Sequence, residues 1–190
     1  MTRLDLFLPV HKGLRAELFE TARLVARSDF SLPAEARAAA ARVRRSFAFL
    51  EEHAHHEEQL IFAELLPRAP VLCAELRNEH ARVDGLMLEI TRLLARLEPA
   101  SADERVSLGR RLHGLLGSFL AEYLRHMERE EGETNRALWA HFGDEQLGAM
   151  QGRIIGGIEP ARLQEWMELI LPELNSSERA ALLAGAGEPA

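Results

Sequence analysis

The stretch His53-Ala54-His55-His56-Glu57-Glu58 decides how this chain is read. It crowds three imidazoles and two carboxylates into what its surroundings mark as a long amphipathic helix. At about 3.6 residues per turn, positions four apart lie nearly above one another on one face. His53 and Glu57 therefore present an imidazole and a carboxylate side by side, a pair suited to gripping a metal ion if other helices bring matching ligands.

Outward from that stretch the chain reads as helix throughout. Ala, Leu, Glu and Arg dominate while β-branched and aromatic residues are scarce, a composition with strong helical preference. A first helix is expected from about Asp5 to Arg27, with Leu6, Val10, Leu14, Leu18, Thr21 and Val25 at helical spacing. Ser31 is expected to cap a second helix that has Pro33 in its first turn and runs to about Leu66. Its apolar side is Val43, Phe47, Leu50, Ala54, Ile61 and Leu65, and Pro67 and Pro70 close it. A third helix covers roughly Val71 to Leu97, carrying Leu76 and Val83 with His80 near the same stripe. The pattern Ser101-Ala102-Asp103-Glu104 is a capping box opening a fourth helix that continues to about His141, with Gly143 at its end.

Four long helices joined by short connections predict an all-α fold, an antiparallel up-down-up-down four-helix bundle over residues 1–143. Residues 144–190 read as a C-terminal extension of two or three short helices broken by Gly156-Gly157, Pro160 and Pro172, with Asn175 starting the last. Leu163, Trp166, Met167, Ile170 and Leu171 share a stripe there, expected to pack on the bundle or to form a homodimer contact. The end after Gly185 is expected to fray.

Bulk properties exclude several function classes. The net charge of −7, with 30 acidic residues dispersed among 23 basic ones, leaves no basic stripe for nucleic acid. The single cysteine, Cys73, excludes an intrachain disulfide and a cysteine-rich zinc site. No stretch approaches the roughly 20 apolar residues that span a bilayer, and the first ten residues lack the pattern of a secretory signal. The expectation is a soluble protein of the cytoplasm with no membrane partner.

The chemistry gathers on six residues. His126 and Glu130 on the fourth helix repeat the spacing of His53 and Glu57, while His11 on the first and His80 on the third each add one imidazole. Four imidazoles and two carboxylates form a balanced shell for two divalent metals, in which each carboxylate can bridge and each metal takes two imidazoles. Nitrogen and oxygen ligands without thiolate favour iron or manganese, with zinc a possible occupant. Counting from the turns brings His11, His53, Glu57 and His80 to similar heights. His126 lies farther from its turn than His80 by seven residues, an offset of about 10 Å at 1.5 Å per residue.

Taken in order, His11, His53-Ala-His-His-Glu57-Glu58, Glu79-His80 and His126-Met-Glu-Arg-Glu130-Glu131 resemble the hemerythrin-like, or HHE cation-binding, family from Leu4 to about Phe142. The resemblance implies a bundle around a non-haem di-iron centre, two iron ions joined by an oxo or hydroxo bridge, with Glu57 and Glu130 as bridging carboxylates. The chain departs from the oxygen-carrying hemerythrins at two points. Leu76 stands where they have a histidine one turn before the helix-three ligand, and a four-residue step leads to Glu130 where they use a five-residue step to aspartate. The six-ligand pattern looks like that of bacterial di-iron proteins associated with nitrosative stress and iron-centre repair, which implies binding or sensing of O2 or NO in a bacterial cytoplasm. The same pair could instead serve a redox enzyme that reduces NO or peroxide with an outside electron donor, or supplies iron for repair. A metal-free interaction bundle is the third reading.

Other residues carry milder expectations. Glu58, Glu79, Glu122 and Glu131 are candidates to orient the imidazoles by hydrogen bonding, although such glutamates more often form a solvated face. Tyr123, one turn before His126, is a candidate donor to a bound ligand, with core packing its ordinary reading. His55 and His56 have Gln59 and Leu60 four residues on, so they are expected near the site or in solvent and not among the ligands. Cys73 is expected as a small buried hydrophobe.

Overall fold

The computed structural model describes residues 3–185, with side chains to Leu182; among these all regular structure is helical. In chain order the helices are α1 (Leu8–Arg27), α2 (Pro33–His56), α3 (Phe62–Leu65), α4 (Pro70–Leu97), α5 (Ala102–Arg129), α6 (Asn135–His141), α7 (Asp144–Gly156), α8 (Pro160–Ile170) and α9 (Ser176–Gly185). No helix among the described residues is long and apolar enough to cross a membrane. The expected frayed end lies outside the described residues.

Local chemistry sets the boundaries. Proline occupies the first turn of α1, α2, α4 and α8, where its missing N–H costs nothing. The Ser101 capping box forms, with the Glu104 carboxylate accepting from the Ser101 amide at 2.9 Å. Asn175 caps α9 by accepting from the amides of Ser177 and Glu178 at 3.0 Å. Ser31 does not cap α2: its amide and hydroxyl both donate to Asp29, which stabilises the turn, and Leu32 precedes the helix without a side-chain cap. The first helix begins at Leu8, three residues later than expected, because Asp5 turns the chain by accepting from the amides of Phe7 and Leu8.

The second and fourth helices are not regular α-helix throughout. A π-helical turn, Glu57–Ile61, joins α2 to α3, and another, Glu130–Thr134, joins α5 to α6. The Phe62 amide closes on the Glu57 carbonyl, and the Asn135 amide on that of Glu130, each five residues back. Each turn begins on the glutamate of a His-x-x-x-Glu pair. Short π turns of this kind mark functional sites more often than ordinary helix does.

Two apolar cores explain why polar residues are tolerated inside. In the larger core Leu14, Leu18 and Val25 of α1 meet Val43, Phe47 and Leu50 of α2, Val83, Ile90 and Leu94 of α4, and Leu112, Leu116 and Phe119 of α5. The smaller gathers Phe7, Ile61, Phe62, Leu65, Cys73, Leu76, Leu138, Phe142, Leu147 and Met150. Five of the six candidate ligands fall between the two: His11 between Phe7 and Leu14, His53 and Glu57 between Leu50 and Ile61, His80 between Leu76 and Val83, and Glu130 between Met127 and Leu138, while His126 sits at the edge of the larger core beside Met127. Each large apolar side chain contributes roughly 1.5–3 kcal/mol on burial, so two cores hold a polar layer that could not sustain itself.

The start of α5 is set by the α1–α2 turn. Arg105 donates to the carbonyls of Phe30 and Ser31 as well as to that of Ala100, at 2.5–3.1 Å. Gly109 lets the Phe30 ring press on the helix, since a Cβ there would lie 2.3 Å from it. Counting from the α4–α5 turn thus misplaces His126, whose Nε2 lies 2.9 Å from that of His80 with no offset.

Helices α8 and α9 attach beside the candidate ligands of α1 and α2. Lys12 pairs with Glu178 of α9 at 2.6 Å, and Arg162 of α8 with Glu52 at 2.6 Å. At Gly13 a Cβ would stand 3.0–3.2 Å from Leu169 and Ile170, so glycine is what permits α8 to lie this close to α1.

Candidate metal centre

His11, His53, Glu57, His80, His126 and Glu130 converge in the layer between the cores. All are buried, Glu130 and His11 completely. They form two overlapping groups, His11–His53–Glu57–Glu130 and Glu57–His80–His126–Glu130, and within each group one ligand atom per residue lies within 4.8 Å of every other. Both carboxylates belong to both groups.

The two oxygens of each carboxylate face different imidazole pairs. Glu57 Oε1 lies 2.8 Å from His53 Nε2 and 3.9 Å from His11 Nε2, while its Oε2 lies 3.4 Å from His80 Nε2. Glu130 repeats the arrangement, with Oε2 at 3.4 Å from His11 Nε2 and Oε1 at 3.2 Å from His126 Nε2. None of the four oxygens has a partner with hydrogen-bond geometry. Buried carboxylates left this way cost several kcal/mol each unless something positive compensates them.

The imidazoles are aimed by their outer nitrogens. Nδ1 of His11 donates to Glu131, that of His80 to Glu58 and that of His126 to Glu79, each at 2.9 Å. A carboxylate only accepts, so the proton sits on Nδ1 and the lone pair of Nε2 points inward. Inside, His11 and His53 bring their Nε2 atoms to 3.0 Å, and His80 and His126 to 2.9 Å. At most one proton fits between each such pair. Orphaned carboxylate oxygens and converging nitrogen lone pairs are the donor set of a divalent cation site, and the residues present fit one.

Electrostatics agree. Burial alone would raise the Glu57 carboxyl, but the surrounding imidazoles of His53, His11 and His80 hold it well below the usual carboxylate range. Burial likewise disfavours imidazolium at His11 and His126, yet Glu131, Glu57 and Glu130 push His11 up to about 8, and Glu130, Glu79 and Glu57 push His126 up to about 10. His80 is raised by Glu57 and Glu58 against the same opposition from burial. In each case the site calls for positive charge.

Of the residues expected around the ligands, Glu58, Glu79 and Glu131 take up hydrogen bonds to imidazoles, whereas Glu122 pairs with Arg125 at the surface. Tyr123 is buried with its ring against that of His126, centroids 6.0 Å apart, and burial together with Glu57 and Glu130 raises its hydroxyl well above the ordinary value. His55 is exposed; His56 is half-buried, and burial lowers its imidazole. Leu76 is fully buried in the smaller core, so hydrocarbon fills the place one turn before His80. Sequence reasoning passed over Arg15 and Arg129, which clamp the orienting carboxylates: Arg15 binds Glu131 at 2.6 Å, and Arg129 binds Glu79 at 2.7 Å. The one hint was spacing, since Arg15 stands four residues after His11. It also missed Thr134 and Asn135, buried in and just after the second π turn with side-chain oxygens lacking partners.

No curated protein and no solved structure gives a significant match to the chain. The family described as hemerythrin HHE cation-binding domain matches residues 2–138, a span holding all six converging residues. With that match over most of its length, the chain belongs to the hemerythrin HHE cation-binding domain family.

Proposed function

We propose that the protein holds two iron ions and uses them to bind or sense a small diatomic molecule, O2 or NO. In this reading His11 and His53 serve one metal, His80 and His126 the other, and Glu57 and Glu130 bridge both. The observation that carries it is the division of each buried carboxylate between the two imidazole pairs, with all four oxygens free of hydrogen bonds. When bound, iron at such a site supplies open coordination positions and one-electron redox chemistry. The chain's own residues supply the rest: Glu131, Glu58 and Glu79 fix three imidazoles, Arg15 and Arg129 fix two of those carboxylates, and the flanking cores exclude bulk water.

The long helices are read as an antiparallel up-down-up-down bundle. Short connections after α1, α3 and α4, and the meeting of ligands from every long helix in one layer, support that reading.

The test combines metal analysis of anaerobically purified protein with optical spectra before and after O2, NO and azide. Two irons per chain and spectra that change with each added molecule are expected; failure to take up iron on reconstitution would sink the proposal. A redox role differs only in needing an electron donor, and sustained consumption of NO or peroxide with a reductant would favour it over binding.

A further inference from the structure

The polar layer is close to two-fold symmetric. Exchanging α1 with α4 and α2 with α5 sets His11 on His80, His53 on His126, Glu57 on Glu130 and Glu58 on Glu131. The contacts follow that exchange. The Nε2 atoms of the two imidazole pairs lie 3.0 and 2.9 Å apart. His11 and His80 each stand 3.4 Å from the carboxylate of the opposite pair. Glu131 holds Nδ1 of His11 as Glu58 holds that of His80, both at 2.9 Å.

One contact breaks the symmetry. Nδ1 of His126 is held by Glu79, the residue before His80, and the matching residue before His11 is Val10. An isopropyl group accepts nothing. Among the described residues no group hydrogen-bonds Nδ1 of His53, whose polar contacts run through Nε2 to His11 and Glu57. Val10 is half-buried and borders the same cavity as His53; Gln151 and His56 border it too, and neither hydrogen-bonds the ring.

A carboxylate on the outer nitrogen fixes the rotation of an imidazole and strengthens its inner nitrogen as a metal ligand, and its loss typically costs 10- to 100-fold in metal affinity. The two imidazole pairs match in one member each: His11 has Glu131 backed by Arg15, and His126 has Glu79 backed by Arg129. They differ in the other, since His80 has Glu58 and His53 has none. On the two-metal reading, we propose that Val10 makes the metal positions unequal, so that His53 is the loosely held ligand. The His80–His126 position fills first. The His11–His53 position fills second and is the one that exchanges its metal.

Repulsion between two cations that share carboxylates separates two binding steps even at equal positions, so the place of the first iron is what decides. The test uses the full chain, metal-free and then given one equivalent of iron(II) without oxygen, and locates the metal by anomalous diffraction. A dominant peak beside His80 and His126 is expected; equal peaks, or a dominant one beside His11 and His53, would overturn the proposal. Val10→Glu and Glu79→Val restore the symmetry from opposite sides. Each is expected to divide the first iron between the two positions with the helical circular dichroism unchanged. In competition with a chelator, the weaker step should tighten about 10- to 100-fold in Val10→Glu, and the tighter step should fall by the same factor in Glu79→Val. A first iron that stays beside His80 and His126 in both variants would overturn the role given to Val10. Protein that takes up two irons without preference would keep the two-metal reading and lose this inference, whereas protein that takes up none would lose both.

Discussion

At the residue scale the centre is a problem of charge. Glu57 and Glu130 are carboxylates buried to 1 % and 0 % exposure with no hydrogen-bond donor on any oxygen, a state that folding alone would select against. In the proposed reading each serves both metals, so losing one should cost both. Glu57→Ala and Glu130→Ala are expected to drop iron content to well under one per chain while the helical circular dichroism is kept; a variant retaining two irons would remove that residue from the ligand set. The orienting carboxylates act more weakly. Glu79→Ala and Glu131→Ala should weaken metal binding about 10- to 100-fold, the usual scale for such partners, as measured by competition with a chelator. Glu122→Ala, whose carboxylate faces Arg125 and solvent, should leave affinity unchanged.

The six converging residues were legible because imidazoles and carboxylates at helical spacing are rare enough to stand out on four helices in order. Glu58, Glu79 and Glu131 were legible only as a group that also held Glu122. Which carboxylate meets which imidazole depends on helix rotation, and a surface glutamate reads the same in sequence as an orienting one. Arg15 and Arg129 were harder still, among so many arginines.

At the element scale the feature that the sequence conceals is the pair of π turns. Glu57–Ile61 contains no glycine or proline and Glu130–Thr134 only the single Gly132, too weak a signal to mark a π turn, and the apolar periodicity of the second helix runs on through Ile61 and Leu65 as though uninterrupted. Each turn adds one residue where the helix passes from the polar layer to the smaller core, which lets Glu57 face inward and Ile61, Phe62 and Leu65 also pack. Because the turn absorbs one extra residue, deleting the exposed Gln59 is expected to close it to regular α-helix with Ile61, Phe62 and Leu65 still facing the smaller core, so stability in chemical denaturation should fall by less than the roughly 2–5 kcal/mol of a lost core side chain. A loss on that larger scale would show that the π turn itself is needed for packing. The turn at Phe30 offers a second check: Gly109→Ala places a methyl against the Phe30 ring and should destabilise by about 1–3 kcal/mol.

The same scale explains the misjudged height of His126. Counting residues assumes that consecutive helices start level, and α5 instead takes its position from Arg105 and Gly109 against the α1–α2 turn. A tertiary contact of that kind leaves no local signature. Capping, by contrast, is local: the Ser101 box and the Asn175 cap were readable, whereas Ser31 was misread because Asp29 competes for its amide and hydroxyl.

At the scale of the whole molecule, two apolar cores enclose a layer whose charge balance shifts with pH. In the metal-free protein His11 at about 8 and His126 at about 10 lie above the ordinary histidine value of 6.5. The stability they contribute is complete below pH 6.5 and is lost as pH rises through 8 and 10. Glu79 and Glu131, held at about 2 against an ordinary 4.5, contribute stability present above pH 4.5 and lost as pH falls toward 2. Metal-free protein should accordingly be most stable between about pH 4.5 and 6.5, by thermal melting across pH. In the proposed reading iron displaces the protons on His11 and His126, so loading at neutral pH should release protons and tighten as pH rises, which calorimetry in buffers of different ionisation enthalpy would register.

The all-helical class followed from composition and periodicity. The packing of the C-terminal helices against α1 did not, because contacts such as Lys12 with Glu178 and Gly13 with Ile170 join residues across most of the chain and no local pattern links them. The central claim remains the pairing of ligands around two metals. Anomalous diffraction at the iron edge, on crystals of the iron-loaded protein, tests it most directly. Two peaks are expected, one beside His11 and His53 and one beside His80 and His126, with Glu57 and Glu130 between them; a single peak, or iron bound away from these six residues, would contradict the account.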